Sequence, residues 1–538
     1  MLELNARSIK NNAQAWKNAC VKLPQFDWDK MKETTTAHPV WVHFGAGNIF
    51  RGFIARLQQT LLNDGLASSG IIAAETFDYE IIEKIYLPYD NMTLDVTLNP
   101  DGTTSREIVA SIAEGVRADS TDAEQMARLR QIFTNPELQM ASFTITEKGY
   151  ALTNMAGEYM PVVVQDMKEG PANARHAMSI VTALVHARYQ AGKAPIALVS
   201  MDNCSHNGEK LRNSVLCIAK AWKENGFVDA GFLQYLEDET QVSFPWSMID
   251  KITPRPNQLV QESLQKSGID GMAPIVTSKN TFIAPFVNTE RPQYLVIEDH
   301  FPNGRPALEQ AGVYMTDRDT VNKTEKMKVT TCLNPLHTAM SVYGCMLGYT
   351  LICEEMKDPD LVALIKRLGY TEGLPVVVDP KILDPKAFLD EVVEQRLPNP
   401  FMPDAPQRIA TDTSQKVGIR FGETIKSYLA AGKDLNELVS VPLALAGWLR
   451  YLLAVNDKGM TMDVSSDPMK EVLQEKLKAI TVGKPETYHG QLREILQNES
   501  IFGTDLVAAG LSDKIETMFV EELAGPGAVR QTLQKYLK

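Results

Sequence analysis

The residues best placed to do chemistry form an octet, Gly45-Ala46-Gly47-Asn48-Ile49-Phe50-Arg51-Gly52, between the apolar run VWVHF and a long helical pattern. A glycine turn between strand and helix lets the backbone approach a phosphate. The helix N-terminus then offers unpaired N–H groups and partial positive charge. Gly45 and Gly47 fill the first two glycine positions of the dinucleotide fingerprint, but the third holds Phe50. Gly45, Gly47, Asn48, Ile49, Phe50 and Arg51 are therefore expected to line a dinucleotide. The next strand (GIIAAET) carries Glu75 near its end, with Asp78 three residues on. An acid there accepts hydrogen bonds from the adenosine ribose and repels a 2′-phosphate, which favours NAD(H). Taken singly, each feature also fits a plain turn or a solvated strand end; together they point to a cofactor.

The other reactive side chains do not form a metal set. Six cysteines (Cys20, Cys204, Cys217, Cys332, Cys345, Cys353) show no C-x-x-C pair and read as reduced thiols. Cys204 and His206 lie in a polar turn, and His300 beside Glu298 and Asp299 reads as a strand end, so no metal is expected. The net charge of −13 disfavours nucleic acid but leaves room for an anionic small substrate met by local cations. No apolar run is long enough to span a membrane, and the first residues lack an export pattern. A cytoplasmic protein is expected.

The elements that must position these residues fall into two kinds. Strands alternate with helices over the first part of the chain, which implies a parallel sheet with helical crossovers. Beyond about residue 285 the pattern turns helical. TAMSVYGCMLGYTLICEEM and PLALAGWLRYLLAV are apolar almost all round and should be core helices. The expected organisation is an α/β Rossmann-like domain over 1–285, with an N-terminal extension and a parallel-rich sheet. A mainly α-helical domain should follow over 286–538.

Seven segments, in order, carry a family resemblance: VHFGAGNIFRGF, TITEKGY, SMDNCSHNG, FPWSMIDKITP, VIEDHFPNGRP, KVTTCLNPLHTA and QRIATDTSQK. They resemble the polyol-specific long-chain dehydrogenases, the mannitol dehydrogenase family. It includes mannitol and arabinitol dehydrogenases and fructuronate and tagaturonate reductases. The resemblance implies metal-independent, NAD-linked interconversion of a secondary alcohol and a ketone, by a monomer or loose homodimer. It places Thr146, Glu147 and Lys148 at the cofactor and Asn203, Asp250, Arg408 and Lys416 at the substrate. It makes Lys328, Asn334 and His337 catalytic, the lysine as base and the other two as donors to the substrate oxygen.

One departure stands out. The family signature is Lys-x4-Asn-x2-His, but Lys328 lies six positions before Asn334, one too many. On a regular helix Lys328 and His337 would then face about 180° apart. A single π-turn would absorb the extra residue, and Pro335, lacking an N–H, would free a carbonyl one turn earlier. Lys326 is the alternative base. A lysine acts as a base near neutral pH where apolar surroundings disfavour its charged form, which Val329, Cys332 and Leu333 would supply. Arg408, Lys416 and Arg420 favour a carboxylate-bearing substrate, a keto-sugar acid such as fructuronate reduced to mannonate. A neutral polyol such as mannitol, tagaturonate, or a non-catalytic NAD-binding relative are the alternatives.

Overall fold

The computed structural model describes residues 1–538, which divide into two compact units. The first comprises Met1–Asn99 and Thr103–Asn322; the second comprises Pro100–Gly102 and Lys323–Lys538.

At the centre of the first unit is a six-stranded, wholly parallel sheet. Its strands run in the order Val242–Ser243, Ile196–Ser200, Met140–Phe143, Trp41–Phe44, Ile71–Glu75, Ile112–Arg117. The four central strands are buried on both faces, as continuous apolar runs such as IIAA and IALV require when helices cover both sides. Glu75 ends the second strand in sequence and pairs with Arg117.

The unit runs on past residue 285, later than the sequence pattern implied. Phe286–Glu290 pairs in parallel with Thr93–Leu98, and Tyr294–Glu298 pairs antiparallel with Ser247–Asp250. Tyr314–Thr316 adds a parallel neighbour to Tyr294–Glu298. The first two of these strands satisfy their backbone groups on partners from the first 250 residues and the third on Tyr294–Glu298, so the helical pattern proper begins only after them.

The second unit is helical. Asn334–Leu347 is buried nearly throughout, and every residue of Ser440–Tyr451 is buried, as all-round apolarity predicts. The first of these helices stops at Leu347; Ile352–Glu355 forms a separate short helix. Buried Glu372 accepts the N–H groups of Val439, Ser440 and Val441 at 2.7–2.9 Å, closing the start of the Ser440 helix. Tyr343, on the Asn334 helix, directs its hydroxyl at the Leu443 carbonyl (2.8 Å) and at Glu522 Oε1 (2.7 Å). One hydroxyl has one proton, so a protonated Glu522 is the partner that satisfies both contacts. Burial pushes the Glu522 carboxyl up to about 8, in keeping with that proton. No helix is long and apolar enough to cross a membrane.

Candidate active site

In the first unit the glycine turn is closed from behind. Gly45 has φ +103°, and a Cβ there would stand 2.2 Å from the Thr144 carbonyl oxygen, so only glycine fits. Ala46 is held at both ends: its N–H donates to Glu75 Oε2 (2.7 Å), and its carbonyl accepts from the Tyr86 hydroxyl (2.9 Å). A Cβ on Gly47 would meet nothing within 4 Å. The backbone there is open for close approach by a dinucleotide, with the helix N-terminus immediately following. The donor set and the open cradle fit such a cofactor.

Phe50 shows why the third fingerprint glycine is dispensable. Its ring stacks on His43 of the first strand at 4.2 Å and 7°. The tight approach has moved to Gly52, where a Cβ would lie 2.6 Å from the Thr289 methyl and 2.8 Å from Val287 Cγ1. A π-turn over Phe50–Ile54 starts the helix. His43 is held between Ser142 and Thr144, and burial lowers it to about 3, so it is a neutral packing residue.

Three residues expected to face the cofactor turn inward. Arg51 is fully buried, donating to Asn48 Oδ1 (2.8 Å), Thr93 Oγ1 (3.1 Å) and the Ala284 carbonyl (3.0 Å). It braces the turn from inside rather than meeting a phosphate. Glu75 is 6 % exposed. Besides Ala46, it accepts the N–H groups of Thr76, Phe77 and Asp78 on Oε1. Asp78 is buried and accepts from Thr277 Oγ1 at 2.5 Å. The strand end curls back over its own acids, so neither carboxylate lies open for a ribose. Burial raises the Glu75 pKa against the pull of its four N–H donors.

Thr146 takes φ +63°, which is strained for a β-branched residue. The N–H groups of Ile145 and Thr146 both donate to Asp202 (2.9 and 3.0 Å), as does the Tyr150 hydroxyl (2.6 Å). Asp202 is thus the hidden anchor of the segment bearing Thr146, Glu147 and Lys148, and only its place in the MDN turn hinted at that. Glu147 pairs with Lys210. Asn203 follows in the same turn, and Asp250 is buried at the end of its strand.

In the second unit the extra residue between Lys328 and Asn334 is accommodated by a π-turn over Lys328–Cys332. The Leu333 N–H donates to the Lys328 carbonyl, five residues back, at 3.1 Å. The regular helix restarts at Asn334 with Pro335 in its first turn. The two lysines differ sharply. Lys328 is 3 % exposed; the Lys326 side chain is 49 % exposed and paired with Glu423 at 3.0 Å.

His337 Nε2 is buried with no hydrogen-bond partner; its closest acid, Asp404, stands 3.8 Å away. Burial lowers the imidazole to about 4. Asp404 opposes that, while Arg420, Arg408 and Arg396 reinforce it, so the ring is neutral at pH 7. Asp404 is itself committed to Arg408, which is largely exposed. Lys416 ties down the carbonyls of Ile409 and Thr411, closing the turn that follows the short helix Pro406–Ile409 bearing Arg408. Arg420 donates to Thr338 Oγ1, which donates to the Asn334 carbonyl at 3.0 Å. No carboxylate pairs with the Arg420 guanidinium, and burial lowers it to about 10. Arg396 and Asp404 had no distinguishing sequence signal, because they reach His337 from segments about 60 residues on, whereas Thr338 is its neighbour on the same helix.

Comparison with known proteins agrees with this architecture. Residues 40–310 match the mannitol dehydrogenase Rossmann domain and residues 320–522 the mannitol dehydrogenase C-terminal domain. D-mannonate oxidoreductase of Thermotoga maritima is 51% identical over 99% of both chains. Mannitol 2-dehydrogenase of Cereibacter sphaeroides is 29% identical over 81% of this chain and 86% of its own. Among solved structures, Pseudomonas fluorescens mannitol 2-dehydrogenase in ternary complex with NAD and D-mannitol superposes with a TM-score of 0.70. It is 25% identical and covers 99% of each chain. The chain belongs to the mannitol dehydrogenase family and is an oxidoreductase built from that family's Rossmann and C-terminal domains.

Proposed function

We propose that the protein is a cytoplasmic, NAD-dependent reductase of a keto-sugar acid, converting fructuronate to D-mannonate, and acts as a monomer or loose homodimer. The carrying observation is the Arg420 guanidinium. It is half-buried beside His337, hydrogen-bonded to a hydroxyl and paired with no acid. A substrate carboxylate is the natural partner for such a cation. The 51% identity to a D-mannonate oxidoreductase over the whole chain supports the same substrate class.

Gly45–Phe50 and the segment Thr146–Lys148 would hold the dinucleotide, which when bound would supply the hydride. Lys328, protonated, gives its proton to the ketone oxygen as the carbonyl is reduced, and takes it back in the reverse direction. Asn334 donates to the same oxygen. His337, neutral and with the proton on Nε2, supplies a second donor; its unsatisfied Nε2 is preorganised for an oxygen that gains charge. Asn203 and Asp250 orient substrate hydroxyls. Arg408, Lys416 and Arg420 set the local positive field that draws in an anion despite the protein's overall charge.

The test is NADH oxidation at neutral pH, without added metal, against fructuronate, tagaturonate, fructose and xylulose. Turnover with a keto-uronate and little with the neutral ketoses supports the proposal. Preference for fructose makes the protein a polyol dehydrogenase and reassigns the cations to hydroxyl groups. Preference for tagaturonate keeps the carboxylate site and changes the stereochemical assignment.

A further inference from the structure

Phe77 is 66 % exposed, yet its backbone is rigidly mounted beside the glycine turn. Its N–H donates to Glu75 Oε1 at 2.9 Å, and the other oxygen of that carboxylate holds the Ala46 N–H at 2.7 Å. One buried side chain therefore links the ring's backbone to the cofactor turn. The Lys279 ammonium lies 5.4 Å from the ring centroid. Lys279 belongs to the hairpin formed by Ile275–Val276 and Phe282–Ile283, which is anchored to the same segment. Thr277 Oγ1 donates to Asp78 Oδ2 (2.5 Å), and the Ser278 N–H donates to Glu80 Oε1 (3.1 Å).

In doubly wound folds the adenosine of a dinucleotide lies beyond the carboxyl end of the strand after the glycine turn. Here that strand is Ile71–Glu75, and its two acids are turned inward. What the strand end presents outward instead is an aromatic face. A large exposed ring is unfavourable in water, and a purine base gains by stacking on it. A cation over the same ring strengthens the arrangement by attraction to the ring's electron density.

We propose that Phe77 is the platform on which the adenine of the dinucleotide stacks, with Lys279 covering the ring's other face. This rests on the NAD reading above but not on the identity of the sugar substrate.

The test is calorimetric titration of the full-length protein with NADH, with ADP-ribose and with reduced nicotinamide mononucleotide, which lacks adenine. Phe77→Ala and Phe77→Leu should weaken NADH and ADP-ribose by about tenfold and leave the mononucleotide unchanged. Phe77→Tyr should restore native affinity. The leucine variant keeps apolar bulk without an aromatic face, so it separates stacking from packing should the alanine variant fold poorly. Native NADH affinity in Phe77→Leu overturns the proposal. So does equal weakening of the mononucleotide, which would show a disturbed turn. If the native protein binds no NADH, the dinucleotide reading itself falls.

Discussion

The glycine turn of the first unit and the Lys328–His337 stretch of the second are both strand- or helix-breaking points in the backbone, yet they treat polar atoms in opposite ways. At the turn the backbone groups are held, although Arg51 Nε and Asp78 Oδ1 are buried without partners. Ala46 is held through both backbone groups, and Glu75 accepts four N–H donors. Around His337 satisfaction is withheld: Nε2 is buried without a partner, and Arg420 has a hydroxyl but no carboxylate. Each unmade bond in a buried site has a cost. The contrast fits the division of labour proposed above. Recognising a constant cofactor needs a fixed backbone shape, whereas stabilising charge that appears during reaction needs donors kept free.

The largest expected effect would break that comparison on its chemical side. Lys328→Ala should lower turnover by about 10²–10⁴-fold while NADH titrations stay native, since general acid–base groups contribute on that scale. Lys326→Ala, which removes an exposed partner of Glu423, should change turnover by less than about twofold. The reverse pattern in steady-state assays would make Lys326 the base. Next comes Arg420→Met. It should raise KM for a keto-uronate about tenfold or more, with a smaller change in kcat and little change toward fructose. An equal loss on both substrates would instead give Arg420 a structural task through Thr338.

Glu75→Ala sharpens the other side. Leaving buried N–H groups unsatisfied should cost about 1–3 kcal/mol of stability. It should loosen the turn, seen as a lower melting temperature and weaker NADH binding. An unchanged melt would mean that water replaces the carboxylate without loss. The last test concerns the scaffold of the Asn334 helix. Glu522 is pushed up to about 8 in the folded protein. The folded state therefore retains a proton that the unfolded chain gives up from about pH 4.3 upward, and stability falls as pH rises toward 8. Glu522→Gln should flatten that decline, with little difference from the native melt near pH 4 and a relative gain near pH 8. Parallel melting curves at both pH values would show that Glu522 does not carry the proton.

Much of the cofactor half was legible in the residues. Gly45 and Gly47 identified the turn because few residues can make it, and the alternation of apolar runs with helical periods implied the parallel sheet. The π-turn at Lys328–Cys332 was foreseeable from one extra residue, because helical spacing leaves few ways to absorb it. What residue type could not show was side-chain direction. Arg51, Glu75 and Asp78 have types and positions suited to a dinucleotide, yet all three point inward. The domain boundary was misjudged for a related reason. Phe286–Glu290 and Tyr294–Glu298 pair with segments about 190 and about 50 residues earlier, and local periodicity carries no trace of a distant partner.

By itself, the sequence determined the local repertoire: a phosphate turn, two apolar core helices, a lysine displaced by one residue and a surplus of cations near Arg408. These follow from spacing and residue type, which act over a few residues. Tertiary structure alone decided that Lys328 is buried while Lys326 is exposed, that Glu75 serves the turn from within, and that Arg420 reaches His337 without an acid to neutralise it. Burial and charge compensation are set by whatever the rest of the chain packs alongside. Reactivity depends on those two quantities, so the arrangement of catalytic groups emerges only once the helices have assembled.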